Sequence, residues 1–173
     1  RTSRVEMVAA LTDAVRSLMH SFKARNQGKF PETMIVYRDG VSESQYDQVL
    51  ENELPSIRNA FELEGLYADS IKLAIIICTK RHKARVVFED DTGTYINPCP
   101  GLVVDNSIVS NDLIEFYLNS HAAIQGTCKP AKYTLIHDEI GFKVAELQLM
   151  TYWTCYLYAC LLYTSPSPRD AHE

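Results

Sequence analysis

Met34-Ile35-Val36-Tyr37-Arg38-Asp39-Gly40-Val41-Ser42-Glu43-Ser44-Gln45 is the stretch on which the reading of this chain turns. Met34 to Tyr37 form a short apolar run with the length and β-branched content of a buried strand. The run stops at Arg38, Asp39 and Gly40. Ser42, with Gln45 three residues on, then gives the capping-box pattern that opens a helix. Asp39 is thereby expected at the carboxyl end of a central strand, the rim where open α/β sheets place their chemistry. An Asp-Gly pair also reads as a plain turn, and for an arbitrary pair that is the simpler account.

Working outward, Val5, Val8, Thr12, Val15, Leu18/Met19 and Phe22 recur at helical spacing and predict an amphipathic helix from about Ser3 to Lys23. Tyr46, Val49, Leu50, Leu54, Ile57 and Phe61 predict a second helix, which Pro55 should kink or split and Gly65 should stop. Leu73 to Thr79 is apolar throughout, as a strand covered on both faces would be. Glu89 to Gly101, rich in Asp, Gly, Asn and Pro, reads as a loop. Leu102-Val103-Val104-Asp105 follows it; Leu113 to Leu118 and Tyr133 to Ile136 read as further strands, and Val144 to Ala159 as a last helix. Strands alternating with helices indicate a layered α/β domain.

With 173 residues the chain suits one domain, able to bury roughly two-thirds of its unfolded surface. No apolar stretch approaches the ~20 residues of a membrane span, so no membrane partner is expected. Cys78, Cys99, Cys128, Cys155 and Cys160 make no CxxC pair; scattered in apolar contexts, they suit reduced, buried thiols of the cytosol or nucleus. Cytoplasmic residence is expected, with the nucleus as the alternative. A net charge of −5 argues against indiscriminate coating of nucleic acid but leaves room for a local basic groove. The N-terminus runs straight into a helical pattern, so the chain reads as a piece of a longer protein. Residues 160–173 depart in composition from the preceding helix: 160–170 resemble a translated sequencing adapter, with a genuine Ser/Pro tail as the other reading.

Two segments have the makings of an anion site. Lys80-Arg81-His82-Lys83-Ala84-Arg85 leaves the second strand directly, where cations can neutralise phosphates, although a charge run is more often a solvated face. Phe116 to Pro130 runs from a strand into a loop whose small residues admit an anion to backbone amides, with His121, Gln125, Thr127 and Lys129 as side-chain donors. His121 taken alone is equally an ordinary core or surface histidine.

Tyr37-Arg38-Asp39-Gly40-Val41-Ser42-Glu43, followed by Gln45, Val49-Leu50 and Glu53-Leu54, resembles the signature strand and helix of the Argonaute/Piwi family. Ile76 to Arg85 resembles that family's Lys-Arg-His-x-x-Arg segment, and Ser120 to Pro130 its Ser-His-x-x-Ile-Gln-Gly-Thr-x-Arg/Lys-Pro pattern. The resemblance covers about residues 4–159 and implies an incomplete PIWI domain over 1–159: an RNase H-like mixed sheet flanked by helices. It implies small-RNA-guided silencing, with a small guide RNA, a complementary target RNA and silencing effector proteins as partners. Lys80, Arg81, Arg85, His121, Gln125, Thr127, Lys129 and Tyr158 would contact the guide. Asp39 and Glu6 would belong to a two-metal endoribonuclease site using Mg²⁺ or Mn²⁺, whose first aspartate and histidine fall outside this stretch, so this chain alone is expected not to cut. A guide-RNA-binding module that represses targets without cleavage is the alternative. Glu6 also fits as one acid favoured by the dipole of a helix start. Tyr158 also fits as an aromatic on the core face of the last helix. Lys129 stands where arginine is common, keeping the charge but losing the bidentate fork. Asp39 and the two donor segments are expected to face one channel shaped for a nucleic-acid duplex.

Overall fold

Strand β1, Thr33–Asp39, pairs in parallel with β2, Lys72–Thr79, and the register sets Asp39 opposite Cys78. The computed structural model describes residues 4–110, 112–123 and 125–157, with side chains from residue 10 onward. Helix α1 spans Arg4–Arg25, α2 Tyr46–Leu63 and α3 Val144–Thr154. The remaining strands are β3 Phe88–Glu89, β4 Tyr95–Ile96, β5 Leu102–Val104, β6 Ile114–Asn119 and β7 Ala131–Asp138. The main sheet has the order β1-β2-β7-β6-β5, and its parallel β1/β2 and antiparallel β5/β6 pairs make it mixed. Two compact units divide the chain: residues 1–79 with 134–141, and 80–133 with 142–173. Strand β7 lends residues to both.

In the first unit, α1 and α2 pack one face of β2. Leu73, Ile75 and Ile77 alternate along the strand and join Val15 and Met19 of α1 with Val49, Ile57, Ala60 and Phe61 of α2 in one buried cluster. Ala74 and Ile76, between them, are equally buried, so β2 is covered on both faces as its apolar run predicts. Strand β1 differs from expectation. It stands at the end of the described strand order, not in its middle, and its residues 34–38 are only half-buried. A short apolar run specifies a strand without saying how many neighbours it has. On α1, Thr12, Val15 and Met19 turn inward, whereas Leu18 and Phe22 are exposed, so the apolar stripe is narrower than the sequence suggests.

Helix α2 opens as the sequence predicts, through a three-ten turn at Glu43–Gln45, where the Gln45 side-chain oxygen accepts from both the Ser42 N–H (3.1 Å) and the Ser42 hydroxyl (2.8 Å). Pro55 does not split it; the helix continues through to Leu63. Pro55 lies on the exposed side, where water can replace the missing donor. The stop at Gly65 is a Schellman turn. Gly65 N–H donates to the Glu62 carbonyl at 2.9 Å and Leu66 N–H to that of Phe61 at 3.1 Å, with Gly65 at φ +76°.

Beyond α2, Glu139 ties this unit together. Its carboxylate accepts from Leu73 N–H at 2.9 Å, pairs with Arg58, and meets His137 Nε2 at 2.9 Å, while its own N–H donates to the Leu73 carbonyl at 3.0 Å. Partial burial pushes its pKa up, but Arg58, the Leu73 amide and His137 together override this and bring it to about 2.

In the second unit, β5 and β6 pair antiparallel, and the stretch expected to be a loop holds a small hairpin instead. Its turn is built on Asp90, whose carboxylate accepts from the N–H groups of Thr92 and Thr94 and from the Thr92 hydroxyl. Each strand is two residues long, too short for period-two alternation to register. Buried Glu115 on β6 is compensated by Lys132 Nζ at 2.8 Å and Ser110 N–H at 2.9 Å. Phe116 stacks on Tyr133. Of the cysteines expected to be buried, Cys128 is, Cys78 and Cys155 are half-buried, and Cys99 is exposed. Cys160 and the rest of residues 158–173 lie outside the described part, and α3 ends at Thr154, short of the predicted Ala159.

Candidate nucleic-acid interface

The two donor segments predicted from sequence lie in the second unit, and the structure joins them. His82 Nε2 meets the Pro130 carbonyl at 2.7 Å, fastening the basic segment to the far end of the Ser120–Pro130 loop. That contact requires the proton on Nε2, since a carbonyl only accepts. His82 Nδ1 is buried and has no hydrogen-bond partner, and the ring stands edge-on to Tyr117 at 5.1 Å. His82 is therefore a packed strut within the run the sequence presents as uniformly basic. Lys80, Arg81, Lys83 and Arg85 surround it, with Lys80, Arg81 and the rest of the run facing solvent wholly or in part. Arg85 donates from Nη1 to the carbonyl of Ala84 at 2.7 Å and, more weakly, to that of His82 at 3.3 Å, holding its guanidinium against its own segment.

The loop is held at further points. Tyr156 Oη donates to the Ser120 carbonyl at 2.5 Å, and the His121 ring packs on Tyr156 at 4.6 Å while its Nδ1 meets Ser120 Oγ at 2.8 Å. A hydrogen bond with Tyr152, and then burial, raise the Tyr156 phenol above its usual range, so it stays a donor. Asn97 reaches across from the segment after β4. Its Nδ2 donates to the Gly126 carbonyl at 2.7 Å and its Oδ1 accepts from Cys128 N–H at 2.9 Å. Gly126 has φ +77°, which an L side chain adopts only under strain, and a Cβ there would meet nothing within 4 Å. The glycine is needed for its backbone angle, not for space. Cys128 and Pro130 are buried, whereas Gln125, Thr127 and Lys129 are exposed, so these predicted donors reach solvent. His121 is exposed as well. Tyr158 lies outside the described residues.

Asp39 is exposed at the end of β1, in the first unit, its Oδ1 accepting from Gly40 N–H at 2.7 Å. The neighbouring Arg38 gives its Nε to both carboxylate oxygens of Glu53 at 3.1 and 2.9 Å, so α2 holds that cation. Glu6 lies on α1, and its side chain is outside the described part. Among the described residues no three His, Cys, Asp or Glu side chains come together as a metal would require. Mg²⁺ demands an octahedron of oxygens, which Asp39 by itself does not supply. The described residues thus do not complete the metal centre that the sequence resemblance implies. No described helix is long and apolar enough to cross a membrane.

Comparison with known proteins follows the same lines. The Piwi domain family model matches residues 1–168. This chain belongs to the Piwi domain family. The match passes Ala159 into the compositionally distinct tail, so a boundary at 159 stands as an expectation from composition. Among curated proteins, protein argonaute 5 of Arabidopsis thaliana is 39% identical over 168 residues, covering 89% of this chain and 17% of that protein. Among solved structures, Kluyveromyces polysporus Argonaute with a guide RNA superposes with a TM-score of 0.73 at 26% identity, over 86% of this chain and 18% of that one. Drosophila Piwi gives 0.70 at 27% identity, over 86% and 20%. The mixed sheet flanked by helices is accordingly the RNase H-like fold of a PIWI lobe, present in part. The chain spans about one-sixth of the length of the curated relatives it matches.

Three residues of this surface escape sequence reasoning: His82, Asn97 and Tyr156. Asn97-Pro98 signals only a turn, and Tyr156 is one of several aromatics at helical spacing. His82 sits inside a charge run that masks its packing role.

Proposed function

We propose that this Piwi-family chain is the part of a small-RNA-guided silencing protein that grips the phosphate backbone of the guide strand. The observation that carries the reading is the His82–Pro130 contact, which fastens the segment bearing the exposed Lys80, Arg81 and Lys83 to the end of the loop bearing the exposed Gln125, Thr127 and Lys129. Cations and neutral donors set side by side suit a run of phosphates better than a single small anion, because each phosphate takes one or two donors and the spacing is tolerant of sequence. The argonaute relatives, one of them solved with a guide RNA, support the same ligand class. Sequence would then be read by base pairing between guide and complementary target, with the protein supplying grip. His121, packed at a tilt against Tyr156, and Arg85, held against its own segment, would add further donors. Silencing effector proteins and cytoplasmic residence belong to the same proposal.

Target cleavage is the finer part of the proposal and rests on Asp39 at its strand end. Asp39 would be one acid of a two-metal site, with Glu6 a second and further ligands required. A protein that binds the guide and represses without cutting needs only the donor surface.

Photo-crosslinking tests the reading. In the intact protein loaded with a 4-thiouridine-labelled short RNA, crosslinked peptides are expected to span residues 80–85 and 120–130. Crosslinks confined to peptides outside both segments would overturn it.

A further inference from the structure

Resting on that reading, we propose that Asn97 is a positioning residue for the guide: its carboxamide presets the Gln125–Lys129 segment in the conformation that receives phosphates. A single side chain bonds to both sides of Thr127, donating to the Gly126 carbonyl at 2.7 Å and accepting from Cys128 N–H at 2.9 Å. That is the pattern a neighbouring strand would make with this backbone, supplied here by one amide. It fixes the peptide groups flanking Thr127. Cys128 is then buried, and Thr127 and Lys129 are left exposed. The need for such a clamp is local. Gly126 has the widest conformational freedom of any residue type, and few alternatives would be excluded without it.

Asn97 is itself anchored. The next two carbonyls, of Pro98 and Cys99, accept from Asn119 Nδ2 at 3.1 and 3.3 Å, and Asn119 is buried at the end of β6. Gly101 N–H returns a bond to the Asn119 carbonyl at 2.7 Å. The strand that leads into the loop therefore also holds the residue that clamps it. Both polar atoms of the Asn97 carboxamide are turned to the loop backbone, so it acts on the ligand through Thr127 and Lys129. As an exposed residue it can be truncated without opening a cavity in the core.

The test is a double-mutant cycle in the intact protein, read by the affinity for a fluorescein-labelled single-stranded RNA over a range of salt. Asn97→Ala and Lys129→Ala are each expected to weaken binding about tenfold, the scale of one charge-assisted contact. The double variant should lose little more than either alone, and Asn97→Ala, which removes no charge, should flatten the salt dependence as Lys129→Ala does. Full additivity with an unchanged salt slope would overturn the positioning role while leaving the donor surface intact. If Lys129→Ala and Lys80→Ala/Arg81→Ala are themselves without effect, the donor surface fails instead. Should Asn97→Ala not fold, Asn97→Gln carries the cycle: it keeps an amide but displaces it by one methylene, and unchanged RNA affinity in a folded Asn97→Gln variant would overturn the proposal.

Discussion

Asp39 and Lys129 show how one side chain's setting decides its use. Asp39 is exposed at a strand end and bonds its own turn through Gly40 N–H, so exchanging the carboxylate for an amide keeps the local hydrogen bond and removes the charge. In an active, intact protein Asp39→Asn is expected to abolish guided cleavage, leave RNA affinity unchanged, and alter stability by no more than roughly 0.5 kcal/mol. Cleavage assays beside binding isotherms check this; parallel loss of both would mean a folding role. Lys129 offers a point charge where a guanidinium would offer a fork. Lys129→Arg should hold RNA at least as tightly as the native residue, and slower RNA dissociation would be its signature. Weaker binding by Lys129→Arg would place Lys129 away from the phosphates.

At the scale of elements, the helix end at Gly65 and the Glu139 cluster make separate contributions. Gly65 at φ +76° completes the Schellman turn, and a Cβ there would meet nothing, so Gly65→Ala should destabilise by about 1 kcal/mol through backbone strain alone, seen as a lower thermal midpoint. Glu139 has a folded pKa of about 2 against an ordinary value of 4.5, so its stabilisation is fully present above the unfolded value and is lost as pH falls from about 4.5 toward 2. Glu139→Gln should lower stability near neutral pH and converge with the native protein in that acid window. A constant gap down to the lowest pH would contradict the linkage. The elements themselves are legible where a long period or a run of one character extends over many residues: α1, α2 and β2 lie where the pattern puts them. Edge against central position for β1, the uninterrupted course of α2 past Pro55, and the β3/β4 hairpin are not. Each depends on neighbours or on exposure, which single-chain patterning does not encode.

Over the whole molecule, the net charge of −5 says little about ligand class, because the cations that matter are concentrated in the Lys80–Arg85 segment and at Lys129. The proposed donors Lys80, Arg81, Gln125, Thr127 and Lys129 are expected from their motif positions, and all five are exposed. What holds them is not legible, since the His82–Pro130 and Asn97–loop bonds link residues 48 and about 30 positions apart. The proposed function stands on those segments acting as one phosphate-binding surface, and the salt dependence of RNA affinity measures that directly. Plotted as log affinity against log salt concentration, the native protein should give a steep line. The Lys80→Ala/Arg81→Ala/Lys129→Ala variant should be shallower by about two, at roughly 0.7 for each single-strand phosphate that is no longer neutralised. Two parallel lines, however far apart in affinity, would contradict it.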